Sequence, residues 1–176
     1  MDPVVIETAR FILRSLTTAD ATERYSRWFE DSAVTEHIMA AKATHDVEAL
    51  RRYIAEKSAT PNVLFLGIFE RDRGVHIGNL KFEPIDPASS NAILGIMIGD
   101  PNWRGRGTAG EVIDAAGNWL HEKLGITELA LGVNQQNVSA QRAYLKAGFV
   151  FETRPYLQTV SPETQTMVKR LGTQGS

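Results

Sequence analysis

A mixed α/β fold is predicted for this chain, on three observations. Apolar, β-rich runs cluster in the first half and recur between helical patterns in the second. One such run enters a glycine-rich turn that opens directly into a long amphipathic helix. The resulting order is strand, two helices, three strands, helix, strand, helix, two strands. A meander followed by β-α-β-α-β builds a mixed sheet of about seven strands, with about four helices on its two faces.

Residues Arg10 to Leu16 alternate as a strand does. Thr17-Thr18-Ala19-Asp20 offers caps for a helix in which Tyr25, Trp28 and Phe29 recur at helical spacing. A second helix starts near Thr44 without a full capping box and places Val47, Leu50, Tyr53 and Ile54 on one face. Strands follow at Val63 to Phe69, Val75 to Phe82 and Ala92 to Ile98. Arg71 to Gly74 reads as a hairpin turn, and Pro84 to Asn91 as a longer connection. The long helix runs from Thr108 to Leu124, with Val112, Ile113, Ala116, Trp119 and Leu120 inward, and Gly125 stands where a left-handed cap is needed. A short strand at Leu129 to Val133 and a helix from Ser139 to Lys146, closed by Gly148, precede two last strands, Phe149 to Leu157 and Thr166 to Lys169. The tail Gly172 to Ser176 is polar and expected to fray.

The 176 residues suit one domain spanning 1–176, with no linker or repeat. A formal net charge of −2 gives no reason to expect nucleic acid or anionic membrane as a partner. The absence of cysteine excludes disulfides, thiolate metal sites and a cysteine nucleophile. The N-terminus lacks the pattern of a signal peptide, and no run reaches the ~20 apolar residues of a membrane span, so a cytoplasmic location is expected. His37, His45, His76 and His121 are scattered, and no metal is expected.

The most informative stretch runs from Ile96 to Glu111. Amides at a helix N-terminus are unpaired and carry partial positive charge, so they bind phosphate. Gly105, Gly107 and Gly110 permit close approach, and Arg104 and Arg106 add charge. The Gly-Lys-Ser/Thr of a Walker loop is absent. Gly105-x-Gly107-x-x-Gly110 matches the letters of a dinucleotide fingerprint, but no acidic residue ends the next strand, which weakens a nucleotide-dependent oxidoreductase. Taken alone, the stretch also fits a turn that merely joins strand to helix.

A second motif lies one helix and one strand downstream: Asn137, Ala140, Tyr144, Gly148 and Phe149. With Arg104-x-x-Gly107-x-Ala109, it resembles the two signatures of the GNAT superfamily of N-acetyltransferases, and the element order agrees over nearly the whole chain. The ribosomal-protein N-terminal-amine subgroup, which also includes small-molecule and amino-sugar enzymes, is the most similar. The resemblance implies a sheet splayed at the acyl-coenzyme A site and acetyl-coenzyme A as cosubstrate. It implies that backbone of Met97, Ile98 and Gly99 meets the pantetheine arm. Amides of Arg104, Gly105, Arg106, Gly107, Thr108, Ala109 and Gly110 would hold the pyrophosphate. Asn137 would bond the pantetheine arm, and Tyr144 would act as acid at the thioester sulfur. It further implies a primary amine acceptor, on a small molecule or a chain terminus, and permits a homodimer.

Direct attack on a thioester needs a neutral amine, a polarised carbonyl and a stabilised thiolate, but no nucleophilic side chain. The glutamates that many relatives use as base fall here at Ile93 and Gly132. Glu83 and Asp100 remain as candidates, beside a water chain or an amine that binds neutral. That gap motivates an alternative, a non-catalytic acyl-coenzyme A sensor. His76 and Asn79, of opposite strand parity, suit hydrogen-bonded structural roles better than an acceptor pocket. Trp103 is expected to pack the strand end. Tyr25, Trp28 and Phe29 either cover the core or line the acceptor mouth.

Overall fold

The computed structural model describes residues 1–35, 45–159 and 161–172. Eight strands form one sheet: β1 (Val5–Glu7), β2 (Phe11–Ser15), β3 (Leu64–Glu70), β4 (His76–Asp86), β5 (Asn91–Ile98), β6 (Glu128–Asn134), β7 (Val150–Phe151) and β8 (Thr164–Arg170), in spatial order β1-β2-β3-β4-β5-β6-β8-β7. Every pairing is antiparallel except β5 with β6. The α-helices are α1 (Glu23–Arg27), α2 (Ser32–Thr35), α3 (Val47–Ala59), α4 (Thr108–Leu124) and α5 (Val138–Lys146). The mixed sheet is as expected, with one strand more than the sequence suggested. The addition, β1, is only three residues long and carries no pattern of its own; it pairs with Phe11–Ser15 through register alone.

Two apolar layers cover the sheet. Val112, Ile113, Ala116 and Leu120 of α4 pack on Phe11, Leu66, Leu80, Leu129 and Met167. On the opposite face Leu50 and Ile54 of α3 join Tyr25, Trp28, Phe65 and Phe69. Tyr25 and Trp28 are thus core residues, and Phe29 stacks on His45 with ring centroids 3.8 Å apart. Helix α4 has the expected bounds, and Gly125 ends it at φ +69° with its N–H donating to His121. The expected start of the second helix, Thr44, lies outside the described residues, as do His37 and the tail beyond Gly172; Asp46 caps α3 by accepting from the Ala49 amide at 2.7 Å.

Four expectations need correction. The first predicted helix is broken into α1, α2 and two 3-10 turns, because Thr22 restarts the chain by accepting from the Tyr25 amide and Asp31 does the same for α2. Strand β4 does not stop at Phe82. Glu83 and Pro84 oppose the single residue Ile93 in a bulge, where the missing N–H of proline breaks no ladder, and pairing resumes to Asp86. A second bulge at Ile77 reverses parity, so His76 and Asn79 share a face and His76 Nε2 lies 2.7 Å from Asn79 Oδ1. The predicted strand from Phe149 to Leu157 pairs only at Val150 and Phe151. Pro155 cannot donate to a ladder, and Glu128 draws the chain away by accepting from both Arg154 Nε and Arg154 Nη2 at 2.6 Å. No described helix is long and apolar enough to cross a membrane.

A partly buried ion pair fixes the entry to the helical layer. Arg14 reaches Asp20 with two bonds, 2.9 and 2.7 Å, and the Thr17 amide donates to the same carboxylate at 2.7 Å. Burial opposes ionisation of Asp20, but these donors outweigh it and hold the carboxyl below its ordinary value. The folded pKa is therefore lower than the unfolded one, ~3.9, and the stabilisation is present above that value and lost as pH falls through the folded pKa. Asp20→Asn is expected to lower the urea midpoint at pH 7, with the gap to the parent protein narrowing below about pH 4. A gap that stays constant with pH would contradict this assignment.

Candidate active site

Strands β5 and β6 pair over only three residues, Asn91 to Ile93 against Glu128 to Ala130. Beyond that point each stays with its other neighbour. β5 follows β4 as far as Ile98, and β6 follows β8 as far as Asn134. The edge of β5 from Leu94 to Ile98 is therefore left without a strand partner on that side, only the Ile98 carbonyl being met, by Arg104 Nε, and alternate N–H and C=O groups face the gap. The gap is a cleft of about 930 Å³. Leu94, Gly95, Ile96, Met97 and Ile98 form one wall; Gly132, Val133 and Asn134 form the other, with α5 beside them.

The glycine loop closes one end. Gly105 and Gly107 take φ values of +67° and +75°, which residues with a Cβ avoid. Gly107 is the N-cap of α4 and has no side chain to accept from the first turn, so the amides of Thr108, Ala109 and Gly110 lack an intrahelical partner. A Cβ built at Gly105 or Gly110 would meet nothing within 4 Å, so the surface over these amides is open. This combination of bare amides, open space and helix N-terminus fits a phosphate group.

The two loop arginines differ in role. Arg106 folds over the Trp103 ring, 4.8 Å from its centroid. Arg104 turns inward: Nε donates to Ile98 O, Nη2 to Gly99 O, each at 3.0 Å, and Nη1 to Asp31 Oδ2 at 2.9 Å. Its charge is thus spent on the end of β5 and on Asp31, whose carboxyl is held below its usual range by that bond and by the Ala33 amide. Trp103 packs edge-on against Phe11 and donates Nε1 to Glu70 at 2.7 Å, as befits a residue that closes the strand end.

Sequence reasoning missed the brace behind the loop. Glu111 accepts from Thr8 Oγ1, the Arg10 amide and Arg10 Nε, and Arg10 Nη1 donates to the Arg106 carbonyl. Arg10 and Glu111 lie 101 residues apart, so no local pattern signals the pair. Arg142 and Lys146 of α5 were also missed, although their spacing of four puts both on one helical stripe, and both line the cleft.

Asn137 is the N-cap of α5, with Oδ1 accepting from the Ala140 amide at 3.2 Å, and it lines the cleft. Tyr144 lines it too, its ring 5.8 Å from that of Phe149. Burial pushes its phenol up to about 12. The cleft therefore gathers Met97, Ile98, Arg104, Gly105, Gly107 to Gly110, Asn137 and Tyr144; Arg106 and Gly99 are not part of its lining, Gly99 lying against the Trp28 indole.

The leftover base candidates are committed elsewhere. Glu83 sits between Lys57 and Lys81, 2.7 and 2.9 Å away. Burial opposes its charge, but the two ammonium groups prevail and hold it ionised at lower pH than usual. Asp100 caps the turn at Pro101 to Trp103 and faces Arg24. His76 is buried among Tyr25, Trp28 and Phe69, and burial lowers its pKa. Among the described residues lining the cleft there is no aspartate, glutamate or histidine.

Comparison with known proteins agrees with this geometry. A Bacillus subtilis (strain 168) protein, the uncharacterized N-acetyltransferase YoaA, is 27% identical over 147 residues, 82% of each chain. The solved structure of RimL, a ribosomal L7/L12 alpha-N-protein acetyltransferase in complex with coenzyme A, shares the fold with a TM-score of 0.80 at 12% identity, over 95% of this chain and 98% of that one. The microcin C7 self-immunity acetyltransferase MccE, in complex with acetyl-CoA and AMP, does so with a TM-score of 0.78 at 15% identity, over 93% of each. Residues 10–150 match the acetyltransferase (GNAT) domain family, and the chain therefore belongs to the GNAT acetyltransferases.

Proposed function

We propose that this chain is an N-acetyltransferase, one domain over residues 1–176, that moves an acetyl group from acetyl-coenzyme A to a primary amine by direct attack in a ternary complex. The observation that carries the reading is the parting of β5 from β6 at the mouth of an uncapped helix N-terminus. Bound there, the cosubstrate supplies an activated acyl carbon and a thiolate leaving group. The loop amides from Gly105 to Gly110 take its pyrophosphate, the Arg104 amide being bonded to the Pro101 carbonyl, with Arg10 and Glu111 holding the loop in place. The free edge of β5 from Leu94 to Met97 pairs with the pantetheine arm, as does Asn137, and the Ile98 and Gly99 carbonyls, which accept from Arg104, close its end. RimL is a ribosomal L7/L12 alpha-N-protein acetyltransferase and MccE a microcin C7 self-immunity acetyltransferase, and an N-terminal or small-molecule amine is the class proposed here.

Tyr144 is assigned to the departing sulfur. With its own pKa near 12, it holds its proton against a thiolate of pKa ~8.5 and stabilises the sulfur by donating a hydrogen bond. The acceptor ammonium gives its proton to water, because the described cleft wall offers no carboxylate or imidazole. That same lack of a base favours a second reading, an acyl-coenzyme A sensor that does no chemistry.

Acetyl-coenzyme A at about a hundredfold excess over its Kd is expected to raise the melting temperature by about 5–10 °C, and nicotinamide cofactors to leave it unchanged. Thiol release across a panel of amines then separates enzyme from sensor: acceptor-dependent release supports the enzyme, and none over the whole panel supports the sensor. Tyr144→Phe should lower kcat at least about tenfold with coenzyme A affinity nearly intact; unchanged kcat at saturation would remove the assignment. For any amine turned over, kcat/KM should rise with pH at unit slope towards the amine's own pKa of ~10, because only neutral amine attacks. A plateau set by a group of pKa ~6.5 or below would show a protein base instead.

A further inference from the structure

Three contacts fasten one short N-terminal segment to the junction of β5 with the glycine loop. Arg24 Nη1 lies 3.6 Å from Asp100 Oδ2. The Trp28 indole lies so close to Gly99 that an added Cβ would fall 2.0 Å from Trp28 Cδ2. Asp31 Oδ2 accepts from Arg104 Nη1 at 2.9 Å. The three residues follow one another over α1 and the 3-10 turn after it, and their partners Gly99, Asp100 and Arg104 all lie at the end of β5 and the start of the loop.

The last of these contacts is built differently from a surface ion pair. Arg104 is held by three acceptors from three directions, Ile98 O, Gly99 O and Asp31, which suits the planar guanidinium and not an ammonium. Asp31 in turn is divided between two elements. Oδ2 takes the loop arginine, while Oδ1 accepts from the Ala33 amide and its carbonyl from Val34 and Thr35, in the first turn of α2. Val34 of α2 lines the cleft shared with the loop. The pair is about one-third exposed on each side, so it adds little to global stability. Its effect falls on the placement of α2 relative to the loop.

We propose that Asp31 is a positioning residue. Acting through Arg104, it couples occupancy of the glycine loop to order in α2, so that a bound donor sets the cleft wall that the acceptor meets. This rests on the donor reading given above. It goes further in linking donor occupancy to the opposite cleft wall through one carboxylate outside the loop.

The test is amide hydrogen exchange with and without coenzyme A, beside calorimetric measurement of its Kd. Coenzyme A is expected to slow exchange at Val34 and Thr35 by at least about fivefold in the parent protein, the low end of ordinary coupling between sites. Asp31→Asn keeps the size of the side chain and its bond to Ala33 but removes the charge that holds Arg104. It should abolish most of that slowing with an unchanged melting temperature and a Kd for coenzyme A within about threefold, and Arg104→Lys should abolish it as well. For any amine turned over, Asp31→Asn should raise the acceptor KM more than it lowers kcat. Coenzyme A that binds the parent protein without slowing exchange in α2, or equal slowing in Asp31→Asn, overturns the coupling and leaves the donor site standing. Failure of coenzyme A to bind the parent protein overturns both.

Discussion

The parting of β5 from β6 is the constraint on which the rest of the structure depends. Backbone N–H and C=O groups away from water must find partners, and a strand interior normally finds them on both sides. Here β5 has β4 along its length and β6 for only three residues. The sheet is in effect two ladders, β1 to β5 and β6 with β8 and β7, joined at one short hinge of parallel pairing. Helix α4 keeps them together, since Val112, Ile113, Ala116 and Leu120 pack against residues of both ladders. The apolar layer thus spans the gap, and the cleft it leaves runs along the unpaired edge of β5.

Two sets of contacts fix the geometry at the mouth of that gap. Behind the loop, Glu111 gathers Thr8 and Arg10, and Arg10 holds the Arg106 carbonyl, which turns the loop amides outward. A carboxylate in the first turn of α4 also suits the positive end of the helix. In front of it, Arg24, Trp28 and Asp31 grip the junction between β5 and the loop. Glycine loop, strand edge and N-terminal helices are therefore mechanically one assembly, although they are far apart in sequence.

Elements with strong local signals were legible in the sequence. Helix α4 had the right bounds because its apolar period and terminal Gly125 are local facts. The glycine loop and the Asn137 to Phe149 stretch were legible for the same reason, and both line the cleft. Features fixed by distant partners were not. β1 is a strand only because Phe11–Ser15 lies beside it. The bulge at Ile77 put His76 and Asn79 on one face against simple alternation. The stretch after Phe151 looked β-rich, but Pro155 and the Glu128 carboxylate take it off the sheet edge. Arg104 looked like a phosphate ligand by position, whereas its guanidinium holds the end of β5 and Asp31, and its amide donates to the Pro101 carbonyl.

The central claim is that the exposed edge of β5 and the amides of the loop form one site for one ligand. Amide chemical shifts followed by NMR during titration with coenzyme A test it most directly. The account predicts saturable shifts with a single Kd at both Leu94–Ile98 and Gly105–Gly110. Shifts confined to the loop, different Kd values for the two segments, or shifts centred instead on the shallow cleft around His121 and Lys169 would contradict it.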